Sequence, residues 1–210
     1  RLSRPEQLKS AWTKKVSAWL QLLTQDPALG AGTRATLASL LRQWEFLEQE
    51  IERLEEDLAE LACSPRYGAA VGELVKFQGV GLLTALVFLT EIGDLGRFAN
   101  RRQIGAYLGL VPRSYDSGAA SDRKGHITRQ GSSRVRRALC QAVWSRIREE
   151  GVDHDAYQRL VERNPKHKKI AVVATMRGLG VRMWHKAQAA RSESPSWAEV
   201  RRADTPAPVG

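Results

Sequence analysis

The sequence predicts a mainly α-helical fold, in which a coiled-coil arm is followed by a small helical domain containing a helix-hairpin-helix and a Ser/Gly-rich loop. Three observations predict it. Leu37, Leu40, Trp44, Leu47, Ile51, Leu54, Leu58 and Leu61 keep the alternating spacing of a heptad seam. The string FQGVGLLTALVFLTEIG reads as helix end, tight glycine turn and second helix. Between Arg134 and Arg148, an inward stripe of Val135, Ala138, Leu139, Ala142, Val143 and Ile147 faces away from Arg134, Arg137, Gln141 and Arg148.

Residues 5–25 place Leu8, Trp12, Val16, Trp19, Leu20 and Leu23 at helical spacing, and Asp26-Pro27 with Gly30 and Gly32 ends that helix. The seam helix follows. Its outer face over residues 45–60 carries eight Asp or Glu against Arg53 alone, a surface that repels nucleic acid and suits a protein partner. The same helix also suits packing against residues 5–25 as a two-helix hairpin. Ser64-Pro65 and Gly68 break the arm, residues 69–78 resume a helix, and a further helix is expected from Asn100 to Leu108. Pro112 opens a polar loop, and a last helix is expected over Lys168 to Ala190, weakened or kinked by Gly178 and Gly180. The expected organisation is residues 1–64 as helical linker and coiled-coil arm, 65–190 as the helical domain with its loop at 113–133, and 191–210 as a disordered tail.

The chain carries a formal net charge of +10 over 210 residues. Residues 97–148 hold twelve Lys or Arg against Asp116 and Asp122, so this stretch alone accounts for the excess. Clustered cations release counterions when they neutralise phosphates, which points to a nucleic-acid partner. Cys63 and Cys140 lie in helical stretches without metal-ligand spacing, which supports neither a disulfide framework nor a zinc site and fits a reducing cytoplasm. No apolar run approaches the length of about 18 residues that spans a bilayer, and no signal-like core follows the basic N-terminus, so no membrane partner is expected. The first residue is Arg1 rather than methionine, which suggests a fragment or a processed product.

The stretch PRSYDSGAASDRKGHITRQGSSRVRRAL concentrates the candidate chemistry. Ser117 precedes Gly118 and is flanked by Arg113, Arg123, Lys124, His126 and Arg129, a setting suited to a phosphodiester. Attack by a serine hydroxyl on phosphorus needs cations for the developing charge and a group to remove the proton. The arginines can supply the first. A lone loop histidine is ordinarily a solvated side chain, and no Ser/His/Asp triad follows from the spacing. Ser132 and Ser133, ahead of a helix, read as caps. Gly79 and Gly81 allow a backbone approach to phosphate, or simply turn a helical hairpin, while Arg134 and Arg137 present charge along a helix. Standing alone, a serine in a polar loop is a structural residue.

Four ordered motifs change that reading: FQGVGLLTALVFLTEIGDLGRF, RRQIGAYLGLVPRSYDSG, GHITRQGSSRVRRAL and KKIAVVATMRGL. From about Val75 to Trp184 the chain resembles the C-terminal domain of the insertion-sequence transposases of the "one-ten" group, also called bridge-RNA-guided recombinases. The resemblance implies that Ser117 is a nucleophile forming a transient phosphoserine link to DNA. It further implies an upstream RuvC-like domain with four acidic residues that bind Mg²⁺, joined through a coiled coil. Nothing before Leu37 offers such a domain, so no cofactor is expected on this chain and Mg²⁺ is expected only with the RuvC-like domain. DNA, a structured guide (bridge) RNA and further copies of the chain through the coiled coil are the implied partners, in a prokaryotic, nucleoid-associated setting. Two alternatives stand beside this one: a noncatalytic helix-hairpin-helix module that binds DNA or RNA, and a scaffold assembled through the coiled coil.

Overall fold

The computed structural model describes residues 13–114 and 124–192. The chain divides into two units, Arg1–Asp57 and Leu58–Gly210, a division that falls inside one helix ahead of the Ser64-Pro65 break.

In the first unit, helix α1 (Lys14–Leu23) starts at Thr13, whose hydroxyl accepts the Val16 N–H at 3.4 Å. The part of the expected first helix that precedes Thr13 lies outside the described residues. Past α1, the Asp26 carboxylate accepts the Ala28 N–H at 2.9 Å, an Asx turn that reverses the chain. Helix α2 (Ala31–Cys63) then runs without a break. The Gln21 amide donates to Glu45 at 2.8 Å, so α1 and the first part of α2 form a two-helix hairpin with Val16 and Leu41 buried. Trp44 and Ile51 of the heptad seam line a cavity with Lys14, Ser17, Ala18 and Gln21 of α1. Leu40, Leu47, Ile51 and Leu54 are 58%, 57%, 54% and 58% exposed, so much of the seam stays open, whereas Leu37 and Trp44 are half-buried.

The second unit is built around helix α8 (Lys168–Ser192). Helices α3 (Gly68–Leu74), α5 (Arg101–Tyr107), α6 (Ser133–Arg146) and α7 (Val152–Arg163) all pack on it, and α4 (Leu82–Ile92) packs on α3 and α6. Because neighbours surround it, α8 buries Ala171, Val172, Met176, Leu179, Met183, Trp184 and Ala187. It runs unbroken through Gly178 and Gly180. A Cβ at Gly180 would lie 2.7 Å from Leu108 Cδ1, so the glycine marks a close helix contact. Trp184 donates from Nε1 to the Leu95 carbonyl at 2.9 Å, and Phe98 meets its ring edge-on at 6.5 Å. Of the expected α6 stripe, Val135, Leu139, Ala142, Val143 and Ile147 are buried and Ala138 is half-buried, whereas Arg134, Arg137, Gln141 and Arg148 are exposed.

Three features were not foreseen. Helix α7 occupies a stretch that the sequence patterns passed over. Strands β1 (Pro112–Ser114) and β2 (Lys124–Ile127) pair antiparallel within the expected irregular loop. Asp153, in the first turn of α7, is 3% exposed and accepts from both Arg146 of α6 and Arg182 of α8. The expected disordered tail lies outside the described residues beyond Ser192; before it, α8 includes Arg191.

Arg191 donates to the Asp94 carboxylate at 2.8 Å, and the Gly96 N–H does so at 3.0 Å. The Arg191 hydrogen bond, then the Gly96 N–H, hold the Asp94 carboxyl below the ordinary aspartate range. A carboxyl depressed by folding stabilises the protein above its unfolded pKa of about 3.9, and that contribution is lost as pH falls through the folded value. Since Asp94 is 61% exposed, the gain is that of a screened surface pair, under about 1 kcal/mol. Asp94→Asn is therefore expected to lower the melting temperature slightly at neutral pH and to match wild type in acid, as thermal scans at both pH values would show.

Candidate nucleic-acid interface

The base of the strand pair is a backbone-to-backbone lock. Helix α5 ends at Tyr107, and Gly109 turns the chain with φ +67°, a left-handed value that favours glycine. Its missing side chain leaves room for the returning strand: a Cβ there would lie 2.8 Å from the Gln130 N and 2.9 Å from the Gly131 N. Gly131 answers from the other side, since a Cβ on it would lie 1.9 Å from the Tyr107 oxygen. Between them the Arg129 N–H donates to the Gly109 carbonyl at 3.2 Å and the Thr128 N–H to the Val111 carbonyl at 2.9 Å. Arg136 of α6 closes the arrangement, its guanidinium donating to the Gly131 carbonyl and, at 3.4 Å, to the Leu108 carbonyl. The lock holds the first and last residues of the strand pair against the end of α5 and the start of α6.

Pro112 stands opposite Ile127 and Ser114 opposite Lys124, with an irregularity between them. The segment 115–123 joins the two strands. Ser117 and Arg123 belong to it and lie outside the described residues, so the candidate nucleophile is known here by the strands that carry its segment. Arg113 in β1 is exposed and donates to the Thr128 carbonyl at 3.3 Å; His126 in β2 and Arg129, at φ +56°, are also exposed. Lys124 opens β2. Ser132 caps α6, its hydroxyl accepting the Arg134 N–H at 3.2 Å, which is the capping role read from the sequence. Arg134, 83% exposed and 3.8 Å from Glu91, and exposed Arg137 extend the cationic surface along the start of α6.

The glycine turn between α3 and α4 is elsewhere. Gly79 has φ +72°, and a Cβ on it would lie 2.9 Å from the Ala142 carbonyl oxygen and 3.0 Å from Ser145 Cβ. Arg146 donates to the neighbouring Gln78 carbonyl at 2.8 Å. The close approach that Gly79 permits is thus to the last turns of α6. Gly81 keeps open space and precedes α4 without a side-chain cap. From Arg134 to Ser145 a helix advances about 16 Å, so the glycine turn and the strand-pair base occupy opposite ends of α6. Among the described residues, no group of three or more His, Cys, Asp or Glu is placed to hold a metal ion, and no helix is long and apolar enough to cross a membrane.

The residues that form the lock, Gly109, Gly131 and Arg136, were not singled out in the sequence. The stretch that contains both the glycine turn and the strand pair, residues 72–158, matches the family described as Transposase IS116/IS110/IS902. The matched stretch, 87 of the 210 residues, is similar to transposases of that family.

Individual relatives are similar to this chain over more residues than the family match covers. A putative transposase, y4qE, of Sinorhizobium fredii is 36% identical over 142 residues, which cover 65% of this chain and 31% of the relative. The transposase for insertion sequence element IS1328 of Yersinia enterocolitica is 31% identical over 107 residues, covering 51% of this chain and 31% of the relative. A pilin gene-inverting protein of Moraxella bovis is 26% identical over 160 residues, covering 74% of this chain and 48% of the relative. The chain thus spans between 31% and 48% of the length of these relatives. The match to the family ends at residue 158, before α8, the helix on which α5, α6 and α7 of the matched stretch pack.

Proposed function

We propose that this chain is the strand-handling part of a DNA transposase or recombinase, with Ser117 as the nucleophile. The observation that carries the reading is that the matched transposase segment includes the locked strand pair from which the Ser117 segment departs, bordered by exposed Arg113, Arg129, Arg134 and Arg137. In this reading the arginines, with Arg123, Lys124 and His126, hold the scissile phosphate and neutralise charge that builds on its oxygens. The Ser117 hydroxyl forms an Oγ–P bond as one bridging P–O bond breaks; the serine loses its proton and the departing sugar oxygen gains one. Attack by another strand's hydroxyl on the phosphoserine restores the serine and joins DNA, so bond number is conserved.

The described residues hold no acidic cluster suited to Mg²⁺. In this reading the ion is held outside this chain by a RuvC-like domain, a noncoding RNA selects the DNA by base pairing, and the open seam of α2 pairs with another copy. A noncatalytic reading is favoured by one feature, the open, uncapped start of α4 at Gly81, which suits a phosphate without chemistry.

Covalent trapping separates the two. The chain, supplied with its RuvC-like domain, Mg²⁺ and element-encoded RNA, is incubated with element-end DNA and run on a denaturing gel. Wild type is expected to give a protein–DNA adduct that Ser117→Ala lacks, with DNA binding nearly unchanged. An adduct that persists in the variant moves the chemistry to another residue. No adduct in a reconstitution shown to be complete supports the noncatalytic module.

A further inference from the structure

The near-neutral remainder of the chain hides a second cationic block. Residues 159–169, at the end of α7 and the start of α8, contain Arg159, Arg163, Lys166, Lys168 and Lys169 against Glu162 alone. All five cations and His167 are exposed. Among the described residues no carboxylate pairs with any of the five; Arg159 donates only to the Asp155 backbone carbonyl, at 3.2 Å. Pro165–His167 forms a 3₁₀ turn that joins the two helices, so the charges of α7 and α8 meet at one corner. A cationic corner without a carboxylate partner among the described residues is a surface for an external polyanion.

We propose that this α7–α8 corner is a second phosphate-backbone contact, gripping duplex DNA beside the strand handled at the β1–β2 base. The inference rests on the reading of that base as a DNA site. Gly180 touches Leu108 inside the lock, and Lys168 lies twelve residues earlier on the same helix. Twelve residues of α-helix span about 18 Å, roughly half the 34–36 Å turn of B-DNA. One duplex crossing the strand pair therefore reaches the corner within half a turn. The run holds no Phe, Tyr or Trp to stack an unpaired base, so its chemistry suits the sugar-phosphate backbone of a duplex.

The test uses the full chain carrying Lys166→Gln, Lys168→Gln and Lys169→Gln together. Binding to fluorescent DNA duplexes is followed by anisotropy across a salt series. On a duplex long enough to span both surfaces, the slope of log K against log salt is expected to fall by about 2.7, at about 0.9 per lost phosphate contact. On a duplex too short to reach the corner, the variant should match wild type. Circular dichroism checks folding, and three single variants, each lowering the slope by about 0.9, give the same information if the triple variant is unstable. An unchanged slope on the long duplex overturns the proposal, as does a loss seen with structured RNA but not with DNA. This assay requires no strand cleavage. Absence of a Ser117 adduct would overturn the nucleophile and leave the corner's result standing.

Discussion

Replacing Asp153 with alanine is expected to destabilise the helical unit by about 3–5 kcal/mol. Asp153 is 3% exposed and receives hydrogen bonds from Arg146 and Arg182, whose side chains are 15% and 38% exposed. Removing the carboxylate leaves the largely buried Arg146 guanidinium without its anion, and the two cations then repel each other across the space it vacated. The loss also travels. Arg146 donates to the Gln78 carbonyl at 2.8 Å and stacks over the Phe77 ring at 5.7 Å, so the pair that orients Arg146 also steadies the glycine turn. Against a typical domain stability of 5–15 kcal/mol, roughly a fifth or more would be removed. Urea unfolding should show a lower midpoint with an unchanged m-value. Asp153→Asn, which keeps an acceptor oxygen but not the charge, should fall between the two. A loss under about 1 kcal/mol for the alanine variant would mean that water screens these pairs as on a surface.

Gly131→Ala is the second large effect, expected at about 3 kcal/mol, the upper end of the range for forcing atoms into a packed site. A Cβ there would overlap the Tyr107 oxygen at 1.9 Å, and this neighbour is backbone, which cannot swing aside as a side chain does. Relief requires moving the end of α5 away from the start of α6, which separates the two anchors of the strand pair. DNA strand chemistry should therefore fall more than DNA binding, because the exposed arginines persist while the segment carrying Ser117 loses its fixed base. Gly109→Ala should act in the same direction, adding the strain of φ +67° to contacts of 2.8 and 2.9 Å. Thermal melts and adduct yields on both variants check this. A variant as stable and active as wild type would show that the lock is not needed.

Much of the helical architecture can be read locally because its causes are local. Asn100 accepts the Arg102 and Gln103 N–H groups and starts α5 where the sequence expects it. The α6 stripe and its opposite basic face follow from helical spacing alone. Helix α7 escaped because the only residue that it fully buries is Asp153, paired with Arg146 and Arg182, while Ala156, Tyr157, Leu160 and Val161 make only a short, half-buried apolar face. The strands escaped because three and four residues are too few to show alternation, and their base depends on Gly109 meeting Gly131 across the loop. Gly180 likewise reads as a helix weakener until Leu108 is seen against it. In the candidate site, residue types and charge were legible from the chain. The interlock that anchors the strand pair was not, because it consists of backbone fitted against backbone.

The most direct measurement of the central claim is to locate the DNA–protein bond by mass spectrometry of a trapped adduct. Trypsin cuts after Arg113 and Arg123, releasing the peptide Ser114–Arg123, which contains Ser114, Tyr115, Ser117 and Ser121. With nuclease-trimmed DNA, fragment ions should place the nucleotide mass on Ser117. A nucleotide on Ser114, Tyr115 or Ser121, or on a different peptide, would contradict the assignment.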